Sequence, residues 1–189
     1  MRFQRIIIVI MLLVTGITFA QTTNDEPEWF ELMIGPRIGV GYIFVDPDEF
    51  TESIKEYGYN DEEDYKYIPV NSSFGISFEQ RIVLGETNNH FAFQEIISIN
   101  GLEQALALPV LAALLGYRDE SGFEAGIGPL LSLSGIQIAL AVGWTFKYQG
   151  INIPIDISYT IPNNKARSSV AITTGFNFIT QRSKVRTIL

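Results

Sequence analysis

The 189-residue chain contains no cysteine and a single histidine, His90. Without cysteine an exported chain cannot be stapled by disulfides, so its stability must come from a core or from lipid. The two shortages together remove the Cys and His sets that hold transition metals, and no metal or cofactor is expected. Basic residues are also few, 13 Lys and Arg against 21 Asp and Glu, which takes away the electrostatic basis for binding nucleic acid. Long apolar runs are missing after the first residues. The best later segment, Leu102 to Leu115, holds Glu103, Gln104 and Pro109 and falls short of the roughly 18 apolar residues a membrane helix requires.

What is present is apolar character, at 47% of residues. Part of it lies in MRFQRIIIVIMLLVTGITFA, where Arg2 and Arg5 precede an apolar stretch from Ile6 to Val14 and small or polar residues end at Ala20. This is the layout of a secretory signal. A membrane anchor is the competing reading, but the run is short and leads into polar QTTNDEPE. Residues 1–20 are expected to be a cleaved signal peptide and 21–30 a short periplasmic segment. Beyond residue 20, 11 basic residues face 21 acidic ones, a net charge of about −10.

The rest of the apolar excess alternates. In INIPIDISYTI, the odd positions from Ile151 to Ile161 are apolar and the even ones polar or Pro, the signature of a strand with two unlike faces. The same period runs through Ile136 to Tyr148, Ser169 to Phe178, Phe74 to Leu84 and Leu32 to Phe44, with weaker segments at 90–100, 103–117 and 122–133. Eight strands result. Gln149-Gly150, Ser134-Gly135 and Asn100-Gly101 punctuate them as turns. Connections this short leave no room for crossover helices, so neighbours should pair antiparallel. Strands of 11–14 residues at about 3.3 Å each and a tilt of about 40° reach roughly 28–35 Å, at or above the apolar band of a membrane barrel.

Alternation alone does not say which face meets solvent, and a soluble lipocalin-like barrel would share it. The polar faces of strands one, six, seven and eight are mostly Gly, Ala, Ser, Thr and Asn, whereas a water-facing surface would be rich in Lys and Glu. Small residues suit the narrow interior of an eight-stranded barrel. Trp144, Phe146 and Tyr148, and Tyr42 with Phe44, fit aromatic girdles on the outside. The inward charges are then Arg37, Glu79, Arg81, Glu124, Lys147 and Asp156, three of each sign, and their balance points to an ion-pair network that fills the lumen. A lining for a solute path is the alternative. Strand four, with LALPVLAALL apolar on both faces, has an open orientation. Glu95 falls on the lipid side, where a bulge or an interfacial position would relieve it.

Eight such strands, the exported leader and the endings GWTFKYQGINIPIDISY and TTGFNF resemble the small eight-stranded bacterial outer-membrane proteins, OmpA-like or OmpW-like. The resemblance covers about residues 31–180 and rests on diffuse pattern. It implies an all-β, up-and-down transmembrane barrel, lipid contact, and insertion by the barrel-assembly machinery. Two departures stand out: the chain continues past Phe178 as ITQRSKVRTIL, with 181–189 a short tail, and Thr173 occupies the place of an expected glycine.

The one long connection, 46–68, contains nine acids against Lys55 and Lys66. With the N-terminus periplasmic it becomes an extracellular loop. Tyr57, Tyr59, Asp61, Glu62, Glu63, Asp64, Tyr65 and Tyr67 give it the composition of a contact surface, although a solvated acidic loop is the plain reading and no calcium-loop spacing is present. His90 has no evident Ser or acid beside it, and no enzyme is expected. GFEAGIGP and GPRIGVGYIF lack the strand-to-helix context of a phosphate loop. The expected protein is a non-enzymatic outer-membrane barrel with a structural or surface-interaction role. The alternatives are a narrow channel for small or hydrophobic solutes and a periplasmic lipocalin-like binding barrel.

Overall fold

The computed structural model describes residues 30–58, 66–83, 89–164 and 166–183. The elements in chain order are β1 (Phe30–Ile43), helix α1 (Pro47–Glu56), β2 (Val70–Val83), β3 (His90–Asn100), a single 3-10 turn η1 (Leu102–Gln104), β4 (Leu108–Arg118) and β5 (Phe123–Ser132). They continue with β6 (Gly135–Tyr148), β7 (Ile151–Ile161), β8 (Ser169–Gly175) and β9 (Asn177–Ser183). Each strand pairs antiparallel with the next in sequence from β1 to β8. β8 and β9 are two halves of one eighth strand that breaks at Phe176. Both halves lie against β1 on one side and β7 on the other, which closes the ring. The register between β1 and β9 shifts at Leu32/Met33, a bulge that bends the closing strand.

The two faces separate as the alternation requires. Ile38, Val40, Tyr42, Ile136, Trp144, Ile155, Ile157 and Ile172 stand exposed on the outside, while Arg37, Ser77, Glu79, Ala139 and Asn177 are buried inside. A soluble fold would put these sets the other way round. Aromatic residues ring the outside toward both ends. Phe91 stacks edge-on with Tyr117 and Phe123 with Trp144 at one end, and Tyr42 does so with Phe44 at the other. The fold is a closed, antiparallel, eight-stranded barrel with the facing of a transmembrane barrel. The end that carries the termini and the connections β2–β3, β4–β5 and β6–β7 is called here the turn end, and the opposite one the loop end. At the turn end Gln149 (φ 47) and Gly150 (φ 82) both take positive φ, the two-residue turn that matches strand twist.

Four expectations change. Strand four starts at Leu108 rather than Glu103, because Gly101 and Ala105 adopt left-handed conformations around η1. Its orientation is also settled: Ala112, Leu114 and Arg118 point inward, and Leu115 and Tyr117 outward. Glu95 faces outward in mid-strand with no bulge, since its pairing with Phe78 and Ala113 is continuous on both sides. The long connection contains α1, and strand β9 runs to Ser183 past the expected boundary at 180. The expected signal peptide, residues 1–20, lies outside the described residues.

Candidate functional site

The lumen toward the turn end is crossed by charges. Glu79, on the inner face of β2, is fully buried and accepts from two arginines: Arg81, two residues on along the same face, and Arg118 of β4 at 2.7 Å. Arg118 also pairs with Glu124 of β5, its register partner, and Glu124 accepts from Thr145 Oγ1 of β6 at 2.8 Å. One level nearer the loop end, Arg37 of β1 pairs with Asp156 of β7 at 3.5 Å. Asn177, with its amide turned to suit both neighbours, accepts from Arg37 Nη2 at 3.3 Å and donates to Phe176 O at 3.2 Å. A Cβ on Gly143 would collide with the Asp156 carboxylate and the Ile155 carbonyl, so glycine there makes room for the acid. Three guanidinium groups and three carboxylates thus neutralise one another across strands that are distant in sequence. A buried charge without its partner costs several kcal/mol, so the set holds together as a unit.

Beyond this network toward the loop end lies a cavity of about 290 Å3. Gln94, Leu114, Ala141 and Asp156 form its floor and also border a pocket of about 20 Å3 beside Arg118 and Glu124, room for about one water molecule. One wall is apolar in its deeper part, with Ile96, Val110 and Leu130 from β3, β4 and β5, and carries Ser98, Asn100 and Ser132 nearer the mouth. The opposite wall carries the hydroxyls of Ser158 and Thr160 of β7 and Ser169 and Thr173 of β8.

The roof is α1. Asp46 caps it, its Oδ1 accepting from Asp48 N at 2.9 Å, Pro47 sits in its first turn, and Phe50, Thr51 and Ile54 form its buried stripe. Phe50 and Ile54 pack with Tyr67 and Leu106 into a small core over the barrel mouth. Thr51 Oγ1 accepts from Tyr67 N at 3.0 Å. Gln104 of η1 accepts from Ile68 N at 2.7 Å and donates to Val70 O at 2.7 Å. Arg167 meets Glu49, and Tyr57 OH donates to Ser134 Oγ at 3.3 Å. The helix is therefore tied to all three of the other loop-end connections. At the exposed surface Lys66 lies 2.7 Å from Asp48, a hydrogen bond that raises the lysine pKa.

No family model and no curated protein matches this chain. Among solved structures it is similar to Ail, the attachment invasion locus protein of Yersinia pestis, at 12% identity and a TM-score of 0.22, over 81% of this chain and 100% of that one. The strand pairing itself defines the architecture. This chain is an eight-stranded up-and-down barrel with the facing of a transmembrane one.

Of the six charges read from the sequence, five lie in the network: Arg37, Glu79, Arg81, Glu124 and Asp156. Lys147 does not. It shares the inward phase of Thr145 but sits near the exposed turn end and forms no ion pair among the described residues. Arg118 takes the central place instead. It was obscured because RDESG reads as a turn, yet alternation from Ala112, Leu114 and Gly116 places Arg118 inward and could have revealed it. In the acidic connection Tyr57 is exposed, but Tyr67 is completely buried in the roof core and is no surface contact. The physical reason is that Tyr67 must cover the apolar stripe of α1. Tyr59, Asp61, Glu62, Glu63, Asp64 and Tyr65 lie outside the described residues. The roof helix itself was legible in Asp46-Pro47 followed by Phe50 and Ile54 one turn apart. His90 points inward at the turn end, buried, with its Nδ1 unpartnered among the described residues.

Proposed function

We propose that the chain is a non-enzymatic outer-membrane barrel, sealed within its lumen, whose loop end forms a surface-interaction face. The observation that carries this reading is the combination of an apolar outside with a neutralised Arg–Glu–Asp network across the inside. The outside requires lipid, because exposing so many Ile, Val, Phe and Trp side chains to water would drive association. The leader expected at residues 1–20 would route the chain for export, with the barrel-assembly machinery inserting it. The inside argues for a closed lumen, since a permeating ion would have to displace a carboxylate or guanidinium from a fully desolvated partner. The acidic connection 46–68 supplies the external face.

Two measurements test the reading. Membrane fractionation with and without boiling before electrophoresis should place the chain in the outer membrane as a heat-modifiable species; recovery in the soluble fraction would overturn it. In planar bilayers the purified barrel should give no stable current, whereas steady single-channel conductance would favour the narrow-channel reading.

A further inference from the structure

We infer that the cavity between the ion-pair network and α1 is a binding cup for a small uncharged amphipathic molecule, one with an alkyl or aryl body and a hydroxyl, carbonyl or amide group. Size comes first. At about 290 Å3 the space is roughly twice the engineered cavity of ~150 Å3 that takes up benzene, and close to the lower bound of natural ligand pockets.

The lining gives the chemistry. Ile96, Val110 and Leu130 make one wall, and Phe50 and Ile54 continue it across the roof. In a ring ordered β2 to β8 and closed by β1, strands β3 to β5 face β7, β8 and β1 across the axis, so Ile96, Val110 and Leu130 stand opposite the hydroxyls of β7 and β8. The polar groups nearer the mouth on the apolar side, Ser98, Asn100 and Ser132, are hydrogen-bonded to their own neighbours. Thr160 and Ser169 spend their hydroxyls on one another at 2.7 Å. Ser158 and Thr173 make no hydrogen bond to another described side chain, and neither is fully buried, so their oxygens remain available to a guest. A filled structural core would not leave apolar and hydroxylated surfaces facing each other across empty space.

Charge selects further. The charged groups bordering the cavity are Asp156 at the floor, and Glu49 and Arg167 at the rim. Asp156 is committed to Arg37, and Glu49 and Arg167 to each other. A charged guest would find no free counter-charge inside and would lose its hydration, while a neutral one would not. Entry is from the loop end past α1, because the floor is closed. The inference rests on the sealed lumen of the proposed function and adds to it a cup with one mouth.

The test uses the full barrel in lipid nanodiscs and 4-fluorobenzyl alcohol, followed by fluorine NMR against empty nanodiscs. One saturable site per barrel is expected, with 4-fluorobenzoate and 4-fluorobenzylammonium weaker by about tenfold or more. Ala112→Phe, which fills the cavity beside Val110, should abolish saturable binding. The paired change Ser158→Ala and Thr173→Val should weaken the alcohol by about fivefold or more while leaving fluorobenzene unchanged. Each variant is first shown to keep heat-modifiable mobility; if the Phe variant does not fold, the hydroxyl variant decides. Uptake equal to that of empty nanodiscs, or equal binding of the charged analogues, would overturn the cup. A barrel that binds one equivalent yet conducts steadily would keep the cup and fault the sealed floor, and a silent barrel without a saturable site would do the reverse.

Discussion

At the scale of single residues, Glu79 carries the largest consequence. It neutralises Arg81 and Arg118 at a fully buried position, and those two cannot leave for water without disrupting the wall. Glu79→Gln should therefore lower barrel stability by about 3–5 kcal/mol, read as a shift in the urea midpoint for refolding into lipid vesicles. An unchanged midpoint would mean that water reaches the network. Glu95 makes the opposite case, an acid on the outer face in mid-strand between Phe78 and Ala113. Acidic residues facing lipid are tolerated at a cost, so Glu95→Leu should stabilise the barrel by about 1 kcal/mol or more in the same assay. Loss of stability would show that Glu95 has a partner in the membrane.

At the scale of elements, the loop end is a roof assembled from four connections, and Glu103 ties the one that carries η1 to the start of β2. Its carboxylate accepts from Ser72 N at 3.0 Å and from the Ser72 hydroxyl. Partial burial alone would raise its pKa, but the hydrogen bonds from Ser72, with help from Gln104 and its own backbone, outweigh that and lower it. A depressed carboxylate contributes stability above its unfolded pKa of about 4.3, and that contribution is lost as pH falls through the lower folded value. Limited proteolysis of the loop end should thus accelerate below about pH 4. In Glu103→Gln the acceleration should vanish, with faster cleavage already at neutral pH. The same cleavage in both proteins at every pH would exclude Glu103 as the tie. Elements were read from sequence with unequal success. β6 and β7 were plain because unlike faces alternate from Ile136 to Tyr148 and again from Ile151 to Ile161. β4 was not, because its inner residues, Val110, Ala112 and Leu114, are as apolar as its outer ones. From Leu108 to Leu114 the inner face of β4 can be apolar because that part walls the cavity, and only Arg118, nearer the turn end, enters the charged network.

For the whole molecule, closure is the decisive property. β9 completes the ring by pairing with the first half of β1, from Phe30 to Ile34. Removing residues 176–189 would leave that half of β1 with unsatisfied backbone groups toward lipid, each costing several kcal/mol. Such a truncation should yield no heat-modifiable species, while a truncation after Ser183 should keep it. Closure also brings together groups far apart in the chain, such as Arg37 with Asp156 and Glu49 with Arg167.

By itself the sequence determined the number of strands, their antiparallel order and which face meets lipid, because a period of two fixes the facing of every side chain once the polar set is recognised as small and nearly uncharged. It also marked five of the six charges now found in the network. Only the tertiary structure decided the rest. Whether an inward charge is paired or bathed in solvent depends on its height in the barrel, which follows from stagger between strands and not from alternation. That stagger sets Arg118 at the centre and Lys147 at the open end. It also leaves a space between the network and α1, since the volume enclosed depends on which residues share a level, and those residues come from every strand of the ring.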